Sequence, residues 1–335
     1  MATVKDLAKA TGVSVATVSK FLNGGNVLPE NRRRLERAVK RTGYRINSLA
    51  RGLKTRCSMT VGVLIPRFNN AFYAAMVSEL ENQLSRNGYS TVVCAYHDDP
   101  ATEREKFDFL LNKAIDGLIM TPLGAASQCL PLLRQTTLPV VMIDRVCDGM
   151  ARDMVVTDNA AAAADAVRCL AARGHRRIGI VTGPEGVFTA DERLAGYRRA
   201  VAELELDPAP ELVRRGDYSP DSGNRCMQEF LDLRRRPTAV IITNYEMTLG
   251  GVIALENRNI SIPGELSLIG FDNLELAQVI RPPLTMVVQP VAKMAAAAVA
   301  LLRQRLANPA DNSFSIKKFP AELMLRDSVK TINMK

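Results

Sequence analysis

Histidine, the usual general base near neutral pH, occurs only twice in this 335-residue chain, at His97 and His175, too far apart to form a local metal pair. The six cysteines (Cys57, Cys94, Cys129, Cys147, Cys169 and Cys226) form no C-x-x-C and read as reduced, mostly buried thiols. No G-x-G-x-x-G, Walker A or G-x-S-x-G pattern occurs, and spacing marks no carboxylate pair as catalytic. Enzyme chemistry, a cofactor and a metal are therefore not expected. What the spacing carries is recognition. Ala8, Gly12 and Val18 stand four and six residues apart. Two helices crossing closely need a small residue at the contact, a glycine at positive φ in the turn, and an apolar plug between them. Around this triplet lies an excess of cations. Residues 1–56 hold 13 basic and three acidic side chains, a net of +10, whereas the remaining 279 hold 31 basic and 32 acidic. A small polyanion-binding module joined to a nearly neutral body fits that asymmetry.

The elements that position the basic residues are three short helices. Thr3 caps the first, whose apolar stripe is Val4, Leu7 and Ala8, and Gly12 breaks it. Ser14 caps a second, Val15–Leu22, which ends at Asn23-Gly24-Gly25. Pro29 opens a third, running to about Thr42, with Leu35, Ala38 and Val39 inward and arginines outward; Gly43 closes it.

The stretch from Thr3 to Asn23, with Gly43-Tyr44, Asn47 and Leu49-Ala50-Arg51-Gly52-Leu53, resembles the LacI/GalR family of bacterial transcription regulators. The resemblance implies a helix-turn-helix whose second helix enters the major groove of DNA. Val15, Ala16 and Lys20 would then face base edges, the first two against thymine methyls and Lys20 toward guanine. Ser14, Thr17, Ser19, Asn23 and Tyr44 would hold phosphates, fixing register without reading sequence. It also implies a hinge helix (Asn47, Leu49, Ala50, Leu53) that folds when two copies meet on DNA, with Leu53 wedged into the minor groove. Alone, so short a segment containing Gly52 cannot hold a helix. Two positions depart from the family: Lys20 stands where arginine is usual, and Ile46 where proline is general.

The body alternates β-rich runs (Thr60–Ile65, Ser90–Ala95, Gly117–Thr121, Val140–Ile143, Arg177–Thr182, Ala239–Thr243, Ser267–Phe271, Met286–Val288) with helices near 71–87, 102–114, 159–173, 190–204, 221–233, 246–258 and 290–307. That pattern predicts parallel α/β sheets, and the strand number predicts two lobes. The run Arg234-Arg235-Arg236 reads as a solvated helix end. Family marks recur in order through the body, among them Asp116-Gly-Leu-Ile119, Pro139-Val-Val-Met-Ile-Asp-Arg145, Asp158-Asn159, Arg193-Leu-Ala-Gly-Tyr197 and Gly270-Phe-Asp272. They imply a periplasmic-binding-protein-like pair of lobes. The expected domains are a helix-turn-helix headpiece at 1–46, a hinge at 47–56 and a body at 57–335. Its lobes are about 57–157 plus 289–318, and 158–288 plus 319–335.

A small-molecule effector would lie between the lobes at the C-terminal ends of the strands. Arg193 and Asp272 suit vicinal hydroxyls and, by resemblance, are the leading contacts; a salt bridge within the cleft is the plain structural alternative. Phe72, Tyr73 and Tyr218 can stack on a sugar or a base, or simply pack. Asn70, Asp144, Thr189, Asn244 and Gln289 can add polar contacts. Val187 stands where purine-binding members carry arginine, and Tyr245 where the family often has aspartate, so a sugar or polyol is expected. His175 reads as structural. The C-terminus, Arg326–Lys335, lacks leucine heptads for a tetramerising tail.

The functional expectation is a cytoplasmic, nucleoid-associated homodimeric repressor of carbon-source genes, bound to a pseudo-palindromic double-stranded DNA operator and controlled by its effector. Its apolar run at Met294–Leu302 is too short to span a membrane, and no membrane role is expected. A sugar-binding protein or sugar enzyme with an incidental basic N-terminus is the other open reading.

Overall fold

The computed structural model describes residues 2–22, 25–44, 57–147, 149–272 and 274–332. The chain divides into two compact units, Met1–Ser58 and Met59–Lys335.

In the first unit, helices α1 (Val4–Thr11), α2 (Val15–Leu22) and α3 (Pro29–Thr42) enclose a small core of Leu7, Ala8, Val18, Leu35 and Ala38. Thr3 and Asp6 form a reciprocal capping box on α1. Gly12 takes φ +69° and returns its N–H to Ala8 O at 2.9 Å. An L side chain there would be strained, so glycine is what lets the chain reverse into α2. Ser14 Oγ accepts the Thr17 N–H at 3.1 Å and starts α2. Asn23, Asn47, Leu49, Ala50 and Leu53, with the rest of the expected hinge at 47–56, lie outside the described residues.

The second unit holds two six-stranded sheets. The first sheet comprises β1 (Thr60–Ile65), β2 (Ser90–Ala95), β3 (Gly117–Met120), β4 (Val140–Ile143), β5 (Asp153–Thr157) and β11 (Ile316–Phe319). Its helices are α4 (Ala71–Arg86), α5 (Pro100–Asn112), α6 (Leu130–Gln135) and α12 (Val291–Ala307). The second sheet comprises β6 (Ile178–Thr182), β7 (Val213–Arg215), β8 (Ala239–Ile242), β9 (Ser267–Phe271), β10 (Thr285–Val288) and β12 (Glu322–Met324). Its helices are α7 (Asn159–Ala172), α8 (Phe188–Glu203), α9 (Pro220–Leu231), α10 (Tyr245–Asn257) and α11 (Leu274–Val279).

The strand orders, β11-β5-β4-β3-β1-β2 and β12-β10-β9-β8-β6-β7, superimpose term by term. All pairs are parallel except β10–β12. Buried on both faces, the central strands are mostly apolar: alternate residues of β1, Val61 and Val63 against Leu64, enter different cores. The eight predicted strands are present within a residue at each end. The sequence reading missed β5, β7, β11 and β12, with α6 and α11. Three of those strands are edges and β5 adjoins one, and β11 (Ile-Lys-Lys-Phe) is mostly exposed, so it carries no apolar signal.

The chain crosses between sheets at Asp158, at Gln289-Pro290 and at 320–321. A buried ion pair fixes the return. Arg305 Nε lies 2.6 Å from Asp153 Oδ2 and Nη2 3.2 Å from Oδ1, and Ser315 also donates to Asp153. This ties the end of α12 to the strand that β11 joins. His175 is wholly buried, bonded to Thr238 Oγ1 at 2.9 Å and to Lys330 O at 3.2 Å, a structural role. Arg234, Arg235 and Arg236 are exposed just beyond α9. No helix among the described residues is long and apolar enough to cross a membrane.

Candidate functional site

The first unit turns one face of α2 to solvent. Val18 is fully buried, which turns Val15, Ala16 and Lys20 outward; Val15 is 48% exposed although it is apolar. An apolar side chain held in solvent on a basic module suits a partner that offers apolar contact, as thymine methyls do. Ser14 and Thr17 bond each other at 2.9 Å, Ser14 exposed and Thr17 half-buried. Ser19 is half-buried, and Tyr44 packs against the small core.

In the second unit, loops after the strands of both lobes meet around a cleft. All ten residues picked from the sequence for an effector line it: Asn70, Phe72, Tyr73, Asp144, Thr189, Arg193, Tyr218, Asn244, Asp272 and Gln289. The duplicated topology explains why they converge. Asp144 follows β4 and Asp272 follows β9, the equivalent strands. Both take positive φ (+72° and +79°), and each backbone N–H donates to the next strand, to Val155 O and Val287 O, at 2.9 Å. Tyr218 also has positive φ, +67°. Non-glycine residues in this region cost about 1–3 kcal/mol each and cluster at binding sites.

Their hydrogen bonds sort the residues by role. Tyr73 O–H donates to Asp144 Oδ2 at 2.8 Å, and its ring meets Phe72 edge-on at 5.2 Å. Asn70 gives its side-chain oxygen to the Tyr73 N–H, capping α4, which leaves its amide nitrogen to offer. Asn244 caps α10 through Met247 N and donates to Tyr218 O and Glu246 Oε2, so it is scaffold. Thr189 Oγ1 and Tyr218 O–H are 3.2 Å apart.

Arg193 is 4% exposed. Its Nε donates to Asn159 Oδ1 at 2.8 Å, one Nη donates to the Thr243 carbonyl, and the guanidinium lies 4.6 Å over the Phe271 ring. Asp272 accepts from Gln289 Nε2 at 2.7 Å, Gln289 accepts from Thr157 Oγ1 at 2.7 Å, and Asn159 donates to Thr157 O at 3.1 Å. Arg193 and Asp272 are thus joined through Asn159, Thr157 and Gln289, residues at two of the crossovers. Burial raises the pKa of both Asp144 and Asp272, with arginines opposing it.

The sequence reading missed four cleft residues that bear charge: Arg67, Asp98, Arg145 and Glu246. Arg145, 4% exposed, donates to Pro122 O and Tyr73 Oη at 3.3 and 3.4 Å. Its place directly after Asp144 at a strand end was a readable signal. Arg67 pairs with Asp98. Glu246 gave no signal, because its partner, the Ala71 N–H, is 175 residues away.

Residues 3–47 match the lacI family of bacterial regulatory proteins, and residues 167–329 match the periplasmic binding protein-like domain. Catabolite control protein A of Priestia megaterium is 33% identical over 330 residues, 98% of this chain and 99% of its own. The ribose operon repressor of Haemophilus influenzae is 31% identical over 333 residues, 99% of this chain and 100% of its own. Among solved structures, the transcriptional regulator CelR–cellobiose complex matches with TM-score 0.74 and 27% identity, over 98% of this chain and 100% of that one. Headpiece, duplicated lobes and full-length relatives agree, and the chain belongs to the LacI family of bacterial regulatory proteins.

Proposed function

We propose that this protein is a transcriptional repressor that reads a pseudo-palindromic DNA operator as a homodimer and is released or tightened by a sugar or polyol bound between its lobes. It works in the cytoplasm, on the nucleoid, as a binding protein and not an enzyme. Val15, Ala16 and Lys20 read bases, while Ser14, Thr17, Ser19, Asn23 and Tyr44 hold phosphates. Asn47, Leu49, Ala50 and Leu53 form the minor-groove hinge. The headpiece lies in the basic first 56 residues, so binding should weaken steeply with salt.

The observation that carries the effector reading is the chain of hydrogen bonds from Arg193 through Asn159, Thr157 and Gln289 to Asp272. A polyol engaging Arg193 and Asp272 would act on residues at the lobe crossovers, so its binding free energy can bias the lobe arrangement. Names of two relatives, a ribose operon repressor and a cellobiose complex, support a sugar-like ligand.

A mobility shift and footprint of the full chain on its own upstream DNA tests this, with and without candidate sugars. The expected result is one protected palindromic site whose occupancy changes with a ligand. Absence of site-specific binding under every condition, or turnover of a bound sugar, would refute it.

A further inference from the structure

Glu246 reaches from one lobe to the other. It is the second residue of α10, and its Oε1 accepts the backbone N–H of Ala71, the first residue of α4, at 3.4 Å. Its Oε2 accepts from Asn244 Nδ2 at 2.7 Å. The start of a helix offers unpaired N–H groups and the positive end of its dipole, a place where a bound acid or phosphate would settle. In this cleft the protein's own carboxylate takes that place.

The surroundings extend the argument. Asp144 and Asp272 line the same cleft, and burial already raises both of their pKa values. Burial, with the charge of Asp272, pushes Glu246 up to about 7, against the pull of the Ala71 and Asn244 hydrogen bonds. A site that holds its own carboxylates above their ordinary range imposes the same penalty on an incoming anion. The cleft cations already have protein neighbours: Arg67 pairs with Asp98, Arg193 donates to Asn159 and Thr243, and Arg145 donates to Pro122 and Tyr73 and lies 4.0 Å from Asp144, with its Nε buried and without a hydrogen bond. A neutral hydroxyl meets no such penalty, because it can donate to any of the three carboxylates.

We propose that Glu246 is a specificity-determining residue of the effector cleft: it excludes sugar acids and sugar phosphates and reserves the site for neutral polyhydroxylated ligands. The inference rests on the sugar-or-polyol reading above.

Calorimetric titration of the full chain with matched pairs tests it: ribose and ribose 5-phosphate, glucose and gluconate, galactose and galacturonate. At pH 8 the wild type should bind the neutral member of a productive pair at least tenfold more tightly. The gap should narrow at pH 6 as Glu246 takes up a proton. In Glu246→Gln, which keeps the side chain's shape, the gap should fall below threefold and lose its pH dependence. Wild-type preference for an anionic member, or a wild-type gap in the variant, overturns the inference alone. If no member of any pair binds, the sugar reading falls and takes this inference with it. The wild-type arm decides even if the variant folds poorly.

Discussion

Truncating Arg193 tests whether the same side chain builds the cleft and senses its occupant. Arg193→Ala strands Asn159 Oδ1 and the Thr243 carbonyl, and removes the guanidinium stacked on Phe271. Each charge-assisted bond is worth about 1.5–3 kcal/mol, and a desolvated cation–π contact up to about 2. Relief from keeping a charge at 4% exposure offsets part of this, leaving a net loss of about 3–5 kcal/mol. For a body of this size the unfolding midpoint should fall by roughly 10 °C. Scanning calorimetry of the full chain without ligand reads this directly. Arg193→Lys keeps the charge but not the fork and should lose about half as much. A cycle with Asn159→Ala should show a coupling above about 1 kcal/mol, since the two residues touch. Operator affinity without effector should be unchanged at temperatures where the body is folded, while the effector response disappears. If Arg193→Ala leaves the unliganded midpoint unchanged, the residue waits for ligand and builds nothing. If the response survives, the effector binds elsewhere.

Other substitutions probe the headpiece, the return strand and the buried imidazole. Lys20→Ala should cost about 1–3 kcal/mol at the operator and flatten preference at one base pair, measured by anisotropy on operator variants; equal weakening on every sequence would reassign Lys20 to phosphate. Arg305→Met leaves Asp153, fully buried, facing little beyond Ser315, and should lower body stability by about 3–5 kcal/mol by calorimetry. Restoring neutrality with Asp153→Asn should recover part of it, and a purely additive loss would refute the pairing. Burial holds the His175 pKa below its ordinary value, so the unfolded chain takes the proton first. Stability is therefore full above about pH 6.5 and falls as pH drops below it. Urea midpoints between pH 8 and 5 should decline less in His175→Gln than in the wild type; parallel decline would assign the acid sensitivity to other groups.

Local physics made much of this protein legible from its sequence. Ala8, Gly12 and Val18 announce a tight helix crossing, because only a small residue, a positive-φ residue and an apolar plug satisfy it. Seven of the eight recognised strands are central, where double burial makes them largely apolar runs that need no context; the eighth, β2, is an edge strand whose Thr-Val-Val-Cys-Ala run is still β-rich. The candidate contacts of the cleft were readable as well, since loops after parallel strands gather at one end of a sheet. The other three edge strands were not, because one-sided pairing leaves β11 polar and β7 and β12 short. Tertiary structure alone decided what those side chains are free to do. Asn244 is spent on capping α10 and holding Tyr218. Arg193 bonds Asn159 in place of a direct pairing with Asp272. Glu246 answers an N–H from the other lobe. A hydrogen bond spanning 175 residues leaves no periodicity in the chain, because its geometry exists only once two separately folded sheets face each other.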